Sequence, residues 1–233
     1  PDFETPGSVA NSNAYSLNVV ASDGTNTDTE AIVVNVTDAN DNSPVLSVAT
    51  PYSVVEGATT VATVTASDAD AGTTITFSLS GTDAADFAID SSSGAITFNS
   101  APDFETPGSV ANSNAYSLNV VASDGTNTDT EAIVVNVTNE NDNTPAFTSD
   151  SSFSIAEGTD SVATLTGSDA DLTTPTFSTT LAGDDAGDFT LTSGGVLAFA
   201  ATPNFESPAD ANTNNVYSIT ATITDGTNTS TQD

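Results

Sequence analysis

In 233 residues the chain has no lysine, arginine, histidine, cysteine, methionine or tryptophan. Each absence removes a class of chemistry. Without Lys or Arg there is no basic patch to neutralise phosphates, which excludes nucleic-acid partners and attraction to anionic lipid. Without His, Cys or Lys there is no imidazole base, thiolate nucleophile or Schiff base, and metal sites can use only hard oxygen ligands. No disulfide can brace the fold. No stretch approaches the ~20 apolar residues of a membrane span, so this segment inserts in no bilayer as a helix. The sequence opens on Pro1 without a signal-like apolar segment and reads as a window of something longer.

What is present is acid and repetition. Asp and Glu number 32 and the formal charge is -32, yet charged residues make up only 14% and hydrophobic residues 36%. An ordinary domain is about 25% charged, so this chain keeps enough apolar residues to bury cores. Residues 1–37 recur without a change as residues 102–138, a period of 101. The same step carries Glu56 to Glu157, Asp68 to Asp169, Asp70 to Asp171, Asp124 to Asp225 and Asp41 to Asp142. The expected division is residues 1–43, the tail of one repeat with its linker; 44–144, a complete repeat; and 145–233, a repeat lacking its last strand.

Within a period the apolar residues alternate. Tyr116, Leu118, Val120 and Ala122 lie on one face of a segment, as do Ile133, Val135 and Val137 on another, the signature of half-buried strands. Segments 52–56, 61–66, 74–79, 86–90, 95–98, 115–122 and 131–137 are predicted strands, separated by turn signals such as Glu56-Gly57, Ser93-Gly94 and Asp124-Gly125. About seven short strands in about 100 residues predict an all-β chain of tandem seven-stranded Greek-key sandwiches of the immunoglobulin-like kind. Phe77, Phe87, Phe98, Phe104 and Tyr116 fall at core positions.

The acids gather at the repeat boundaries. Asp2-Phe3-Glu4 and Asp103-Phe104-Glu105 precede them, Asp38-Ala39-Asn40-Asp41-Asn42 and Asn139-Glu140-Asn141-Asp142-Asn143 lie on them, and Asp68-x-Asp70 and Asp169-x-Asp171 follow. Together with Val54-Val55-Glu56-Gly57, the segment 93–98, the segment 116–125 and Thr144-Pro145, this ordered set resembles the cadherin repeat over essentially the whole chain. The resemblance implies calcium at each junction. At the second it implies Glu56, Asp103, Glu105, the Glu140 carbonyl, Asn141, Asp142, the Asn143 carbonyl, Asp169, Asp171 and Asp225. At the first it implies Asp2, Glu4, Ala39, Asn40, Asp41, Asn42, Asp68, Asp70 and Asp124, with the counterpart of Glu56 lying ahead of residue 1 and the outermost ion in doubt. A third set, Glu157 and Glu206, has Asn204 where Asp103 stood.

The chemistry agrees with the resemblance. Calcium takes six to eight oxygens, and the three or so ions that the resemblance implies at a full junction would offset most of the charge of the seven carboxylates of the second set, which no Lys or Arg can balance. Isolated acids such as Asp83, Asp86, Asp184 and Asp185 read instead as turn residues on a solvated surface. Paired carboxylates also suit glycoside hydrolysis, but identical sets repeating along a chain suit structure better than catalysis, and the chain is expected to be no enzyme. The expected function is that of a calcium-stiffened spacer or rod in a large extracellular or cell-surface adhesion protein. The alternatives are a segment of an extracellular fibre, or repeats that adhere homophilically. Expected partners are calcium, neighbouring copies, and cell-surface ligands reached through other modules.

Overall fold

The computed structural model describes residues 1–233, which form two compact units, Pro1–Thr138 and Asn139–Asp233. Both are built of strands and turns, with a single 3-10 turn in each, Ala84–Asp86 and Ala186–Asp188.

In the first unit a hairpin of β1 (Ala14–Ser22) and β2 (Thr27–Asn35) precedes a sandwich. Its strands are β3 (Val45–Ser47), β4 (Tyr52–Val55), β5 (Thr60–Thr63), β6 (Thr65–Ser67), β7 (Thr76–Ser80), β8 (Phe87–Ile89), β9 (Ala95–Phe98), β10 (Ala115–Ser123) and β11 (Thr128–Thr138). One sheet has the order β4-β11-β10-β7, the other β5-β9-β8, and β3 pairs with β6. β11 runs parallel to β4 and antiparallel to β10, so the last strand locks the first into the sheet.

Alternation decides what is buried. Tyr116, Leu118, Val120 and Ala122 of β10 and Ile133, Val135 and Val137 of β11 point into one core with Phe87, Ile96 and Phe98 from the opposite sheet and with Val64, which lies between β5 and β6. Each large side chain so buried stabilises by about 1.5–3 kcal/mol. Phe87 and Phe98 pack at 4.3 Å between ring centres, and Tyr116 meets both edge-on.

Two readings of the sequence need correction here. The expected strand 61–66 is interrupted at Val64, whose N–H donates to the Gly94 carbonyl, and pairing with β9 shifts register between Thr60 and Ala62. Strand β3 lay outside the expected set because three residues show no period; it is held by the Leu46 N–H donating to Asp129 Oδ2 at 2.8 Å.

Leu118 is 2% exposed because β10 and β11 face a second sheet.

The second unit repeats the plan with shorter strands. These are β12 (Ala146–Phe147), β13 (Ser161–Thr164), β14 (Gly167–Ser168), β15 (Thr176–Phe177), β16 (Phe189–Leu191), β17 (Val196–Phe199), β18 (Ala221–Thr224) and β19 (Thr229–Gln232). The aromatic trio recurs as Phe189, Phe199 and Tyr217. Residues 153–156, the counterparts of β4, form no strand, and Phe153 is exposed. A cavity of about 630 Å³ lined by Phe147, Leu165, Phe199, Tyr217 and Ile219 lies beside them. The step of 101 is not uniform: Phe177 replaces Phe77 in pairing with the following hairpin, 100 residues on, while Asp185 takes the place of Asp83, 102 residues on.

Candidate metal centres

Within the two units taken singly, four groups of three carboxylates converge, each with ligand atoms within 4.8 Å of one another. Three lie in the first unit: Glu4 with Asp38 and Asp70; Asp68 with Asp70 and Asp124; and Glu56 with Asp103 and Glu105. The fourth, Asp169 with Asp171 and Asp225, belongs to the second unit.

The local sequence explains their placement. Asp68 and Asp70 follow β6 on a turn in which the Asp70 N–H donates to Asp68 Oδ1 at 2.9 Å, so the two carboxylates share a side. Asp124 opens the turn after β10, where its Oδ1 accepts N–H groups from Thr126 and Asn127 at 2.6 Å each. These bonds, from Asn127 first, hold the Asp124 carboxyl below its ordinary value. In the second unit burial pushes Asp225 up, but the N–H groups of Asn228 and Thr227 outweigh it and leave its carboxyl lowered.

The first linker is drawn into the groups by direct bonds. Asn42 donates its backbone N–H to Asp70 Oδ2 at 2.9 Å and its amide to Asp70 Oδ1 at 2.7 Å. Its carbonyl accepts from the Asn127 amide at 2.7 Å, and the Asn40 amide donates to the Asp124 carbonyl at 3.4 Å. Asp41 is exposed and accepts from the Asn42 amide, while the Ala39 carbonyl accepts from the Asp41 N–H. In the second unit Asn143 makes the same pair of bonds to Asp171, at 2.8 Å each, and its carbonyl accepts from Asn228. Asp142 accepts from the Asn143 amide, and Glu140 is exposed. The Asn141 amide oxygen faces the Asp171 and Asp225 carboxylates, oxygen against oxygen; turned over, its nitrogen would donate to them at 3.2 and 3.0 Å.

Asp2 joins none of the groups. Its Oδ1 caps its own turn through Thr5 and Glu4 N–H groups, and the Thr5 bond lowers its carboxyl. Asp38, by contrast, escaped the sequence reading although it heads the linker and is an acid. Its Oδ2 accepts the Ala71 N–H at 2.7 Å, and it stands beside Glu4 and Asp70. The second linker has Asn139 there, donating to the Asp171 carbonyl. Asp83 and Asp185, read as solvated, are each 3% exposed and accept backbone N–H groups. Turn-forming residue type says nothing of whether a turn faces solvent or folds under a neighbouring loop.

The electrostatics call for a cation. Asp38 Oδ1, Asp68 Oδ2, Asp124 Oδ2 and Asp169 Oδ2 are sealed from water and meet no donor. Loss of hydration, together with the adjacent Asp38 and Asp70 charges, holds Glu4 above its ordinary value. The chain has no Lys, Arg or His to relieve this. Oxygen-only donors, carboxylates in the majority and irregular geometry fit calcium and suit no softer metal.

Residues 50–138 match the cadherin domain. The chain is 40% identical over 152 residues to the protocadherin-like wing polarity protein stan of Drosophila melanogaster, covering 58% of this chain and 4% of that protein. It is 37% identical over 146 residues to the human cadherin EGF LAG seven-pass G-type receptor 2, covering 59% of this chain and 5% of the receptor. The chain thus spans about a twentieth of the length of these relatives. Among solved structures, the extracellular domain of protocadherin gammaB4 superposes with a TM-score of 0.68 at 30% identity, covering 94% of this chain and 36% of that one. Repeats 22–24 of mouse cadherin-23 give 0.68 at 24% identity, over 100% and 74% of the two chains, a likeness of fold.

Proposed function

We propose that this chain, an array of cadherin repeats, is a calcium-stiffened extracellular spacer within a larger surface or adhesion protein. Cadherin domains in general bind calcium, and the residues here that would hold it are the four groups described above together with Asn40, Asn42, Asn141 and Asn143. One observation carries the reading: Glu4 and Asp38, which precede the sandwich, meet Asp70, which lies within it, in a single acidic group that nothing in the chain neutralises. A cation bound there would tie a linker to the repeat that follows it. Without one the like charges repel and the linker is free to hinge.

By the sequence period, Glu56, Asp103, Glu105, Glu140, Asn141, Asp142, Asn143, Asp169, Asp171 and Asp225 would serve the second junction, with about three ions at a full junction. The role is mechanical and not catalytic. Repeats whose ligands recur every 101 residues extend length, since each contacts mainly its neighbours. The location that follows is the cell surface or extracellular space, where calcium stands high enough to fill sites of about 10⁻⁴ to 10⁻³ M.

Small-angle scattering of the chain in calcium and in chelator tests this. Calcium should narrow the distribution of shapes with strand content unchanged by circular dichroism. Superimposable profiles would sink the spacer reading, and a mass that multiplies in calcium would favour fibre assembly or direct homophilic adhesion.

A further inference from the structure

We infer that Asp83 is a positioning residue for the group formed by Glu56, Asp103 and Glu105, an inference that rests on the calcium reading of that group. β9 ends at Phe98 and β10 begins at Ala115, so Asp103 and Glu105 sit on a long segment with no strand of its own. A loop of that length presents ligands in fixed positions only if it is tied along its course.

Its near end is tied through Gly57, whose N–H donates to the Pro102 carbonyl, and through the Phe104 N–H, which donates to Glu56 Oε2 at 2.7 Å. Its middle is tied by the Asn114 amide to the Phe104 carbonyl at 2.9 Å and by the Gly108 N–H to the Tyr116 hydroxyl at 3.2 Å. At its far end the acceptor is a buried carboxylate from another part of the sandwich. Asp83, on the turn after β7, accepts the Val110 N–H at 2.8 Å through Oδ1 and the Ser117 N–H at 2.6 Å through Oδ2, and its own N–H donates to the Ser117 carbonyl. Hydrogen bonds to an ionised acceptor are about twice as strong as neutral ones, so this is the strongest tie on the far side of the loop.

The chain contains its own comparison. In the second unit Asp185 holds the Ala211 and Ser218 N–H groups at 2.7 Å each. There Asn204 replaces Asp103, and no three-carboxylate group forms around Glu157 and Glu206. Asp185 thus makes the same bonds with no three-carboxylate group beside it, whereas Asp83 makes them on the loop that carries Asp103 and Glu105.

The test compares Asp83→Asn with Asp185→Asn in the full chain, by calcium titration followed at individual backbone amides. In Asp83→Asn the midpoint at Phe104 and Thr106 should rise about tenfold, the scale of a lost outer-shell partner, while that at Thr126 and Asn127 stays in place. Asp185→Asn should lower the melting temperature equally in calcium and in chelator. Should Asp83→Asn fail to fold, Val110→Pro, which deletes one donor at an exposed position, is read instead. An unmoved midpoint at Phe104, or an equal shift at Asn127, overturns the inference. If neither group of the unmutated chain titrates with calcium, the calcium reading fails by itself. Amide exchange then decides the positioning: exchange at Phe104 and Thr106 no faster in Asp83→Asn overturns it.

Discussion

Asp70→Asn removes a carboxylate that two acidic groups of the first unit share. Asp70 is 4% exposed and accepts both the backbone N–H and the amide of Asn42. Without calcium, the substitution weakens hydrogen bonds to a charged acceptor, of the order of 1.5–3 kcal/mol, but it also removes a like charge from beside Asp38 and Asp68. These effects oppose each other, and the net loss in chelator should be about 1 kcal/mol. In calcium the balance changes. An ion present at a hundredfold excess over its Kd stabilises the native state by about 2.7 kcal/mol, and a tenfold weakening removes about 1.3 kcal/mol of that at each of two sites. The total in calcium is then about 3.5 kcal/mol, or roughly 10 °C in the melting temperature of a unit of this size. Melts of both proteins in calcium and in chelator read the difference, with the second unit as internal reference. An equal depression under the two conditions would refute the reasoning, since it would show that Asp70 serves the fold alone.

Leu118, 2% exposed in the core, offers a simple test: Leu118→Ala should cost about 2–5 kcal/mol by denaturant unfolding. Gly94 has φ +73° and a Cβ there would run into the Val64 carbonyl oxygen, so Gly94→Ala should destabilise by well over 1 kcal/mol; Gly57→Ala, at φ +76° but in open space, should cost about 1 kcal/mol. The turn after β10 should hold through mild acid. Asp124 has its carboxyl lowered from 3.8, so its contribution is present above that value and is lost as pH falls through the lower folded one, which the amide shifts of Thr126 and Asn127 report. Glu4 behaves oppositely: its carboxyl is raised from 4.5, so in chelator its repulsion grows as pH rises through the raised value, and calcium should abolish that dependence.

Much of the fold was legible because its signals are local. Period-two alternation in β10 needs only neighbouring residues, and Asp124-Gly125 or Ser93-Gly94 mark turns because φ > 0 is costly for any other residue. The acidic groups were nearly legible for the same reason, since Asp68-x-Asp70 and Asn40-Asp41-Asn42 are contiguous motifs. Asp38 was missed because its partner, the Ala71 N–H, is 33 positions away. The pairing of β3 with β6 was missed because three residues carry no detectable period.

The sequence by itself determined where most of the strands and turns lie, the hard-oxygen ligand chemistry and the absence of any internal countercharge, all of them properties of residue type and short spacing. Only the tertiary structure decided burial. It placed Leu118 and Ile133 in a core beneath the β5-β9-β8 sheet and left Val55 and Val196 exposed. It also buried Asp83 and left Asp184 exposed, although both are acids in turns. The physical reason is that burial is a relation between segments distant in the chain: a side chain loses its water only when another sheet or loop arrives to cover it, and no local pattern records which one does.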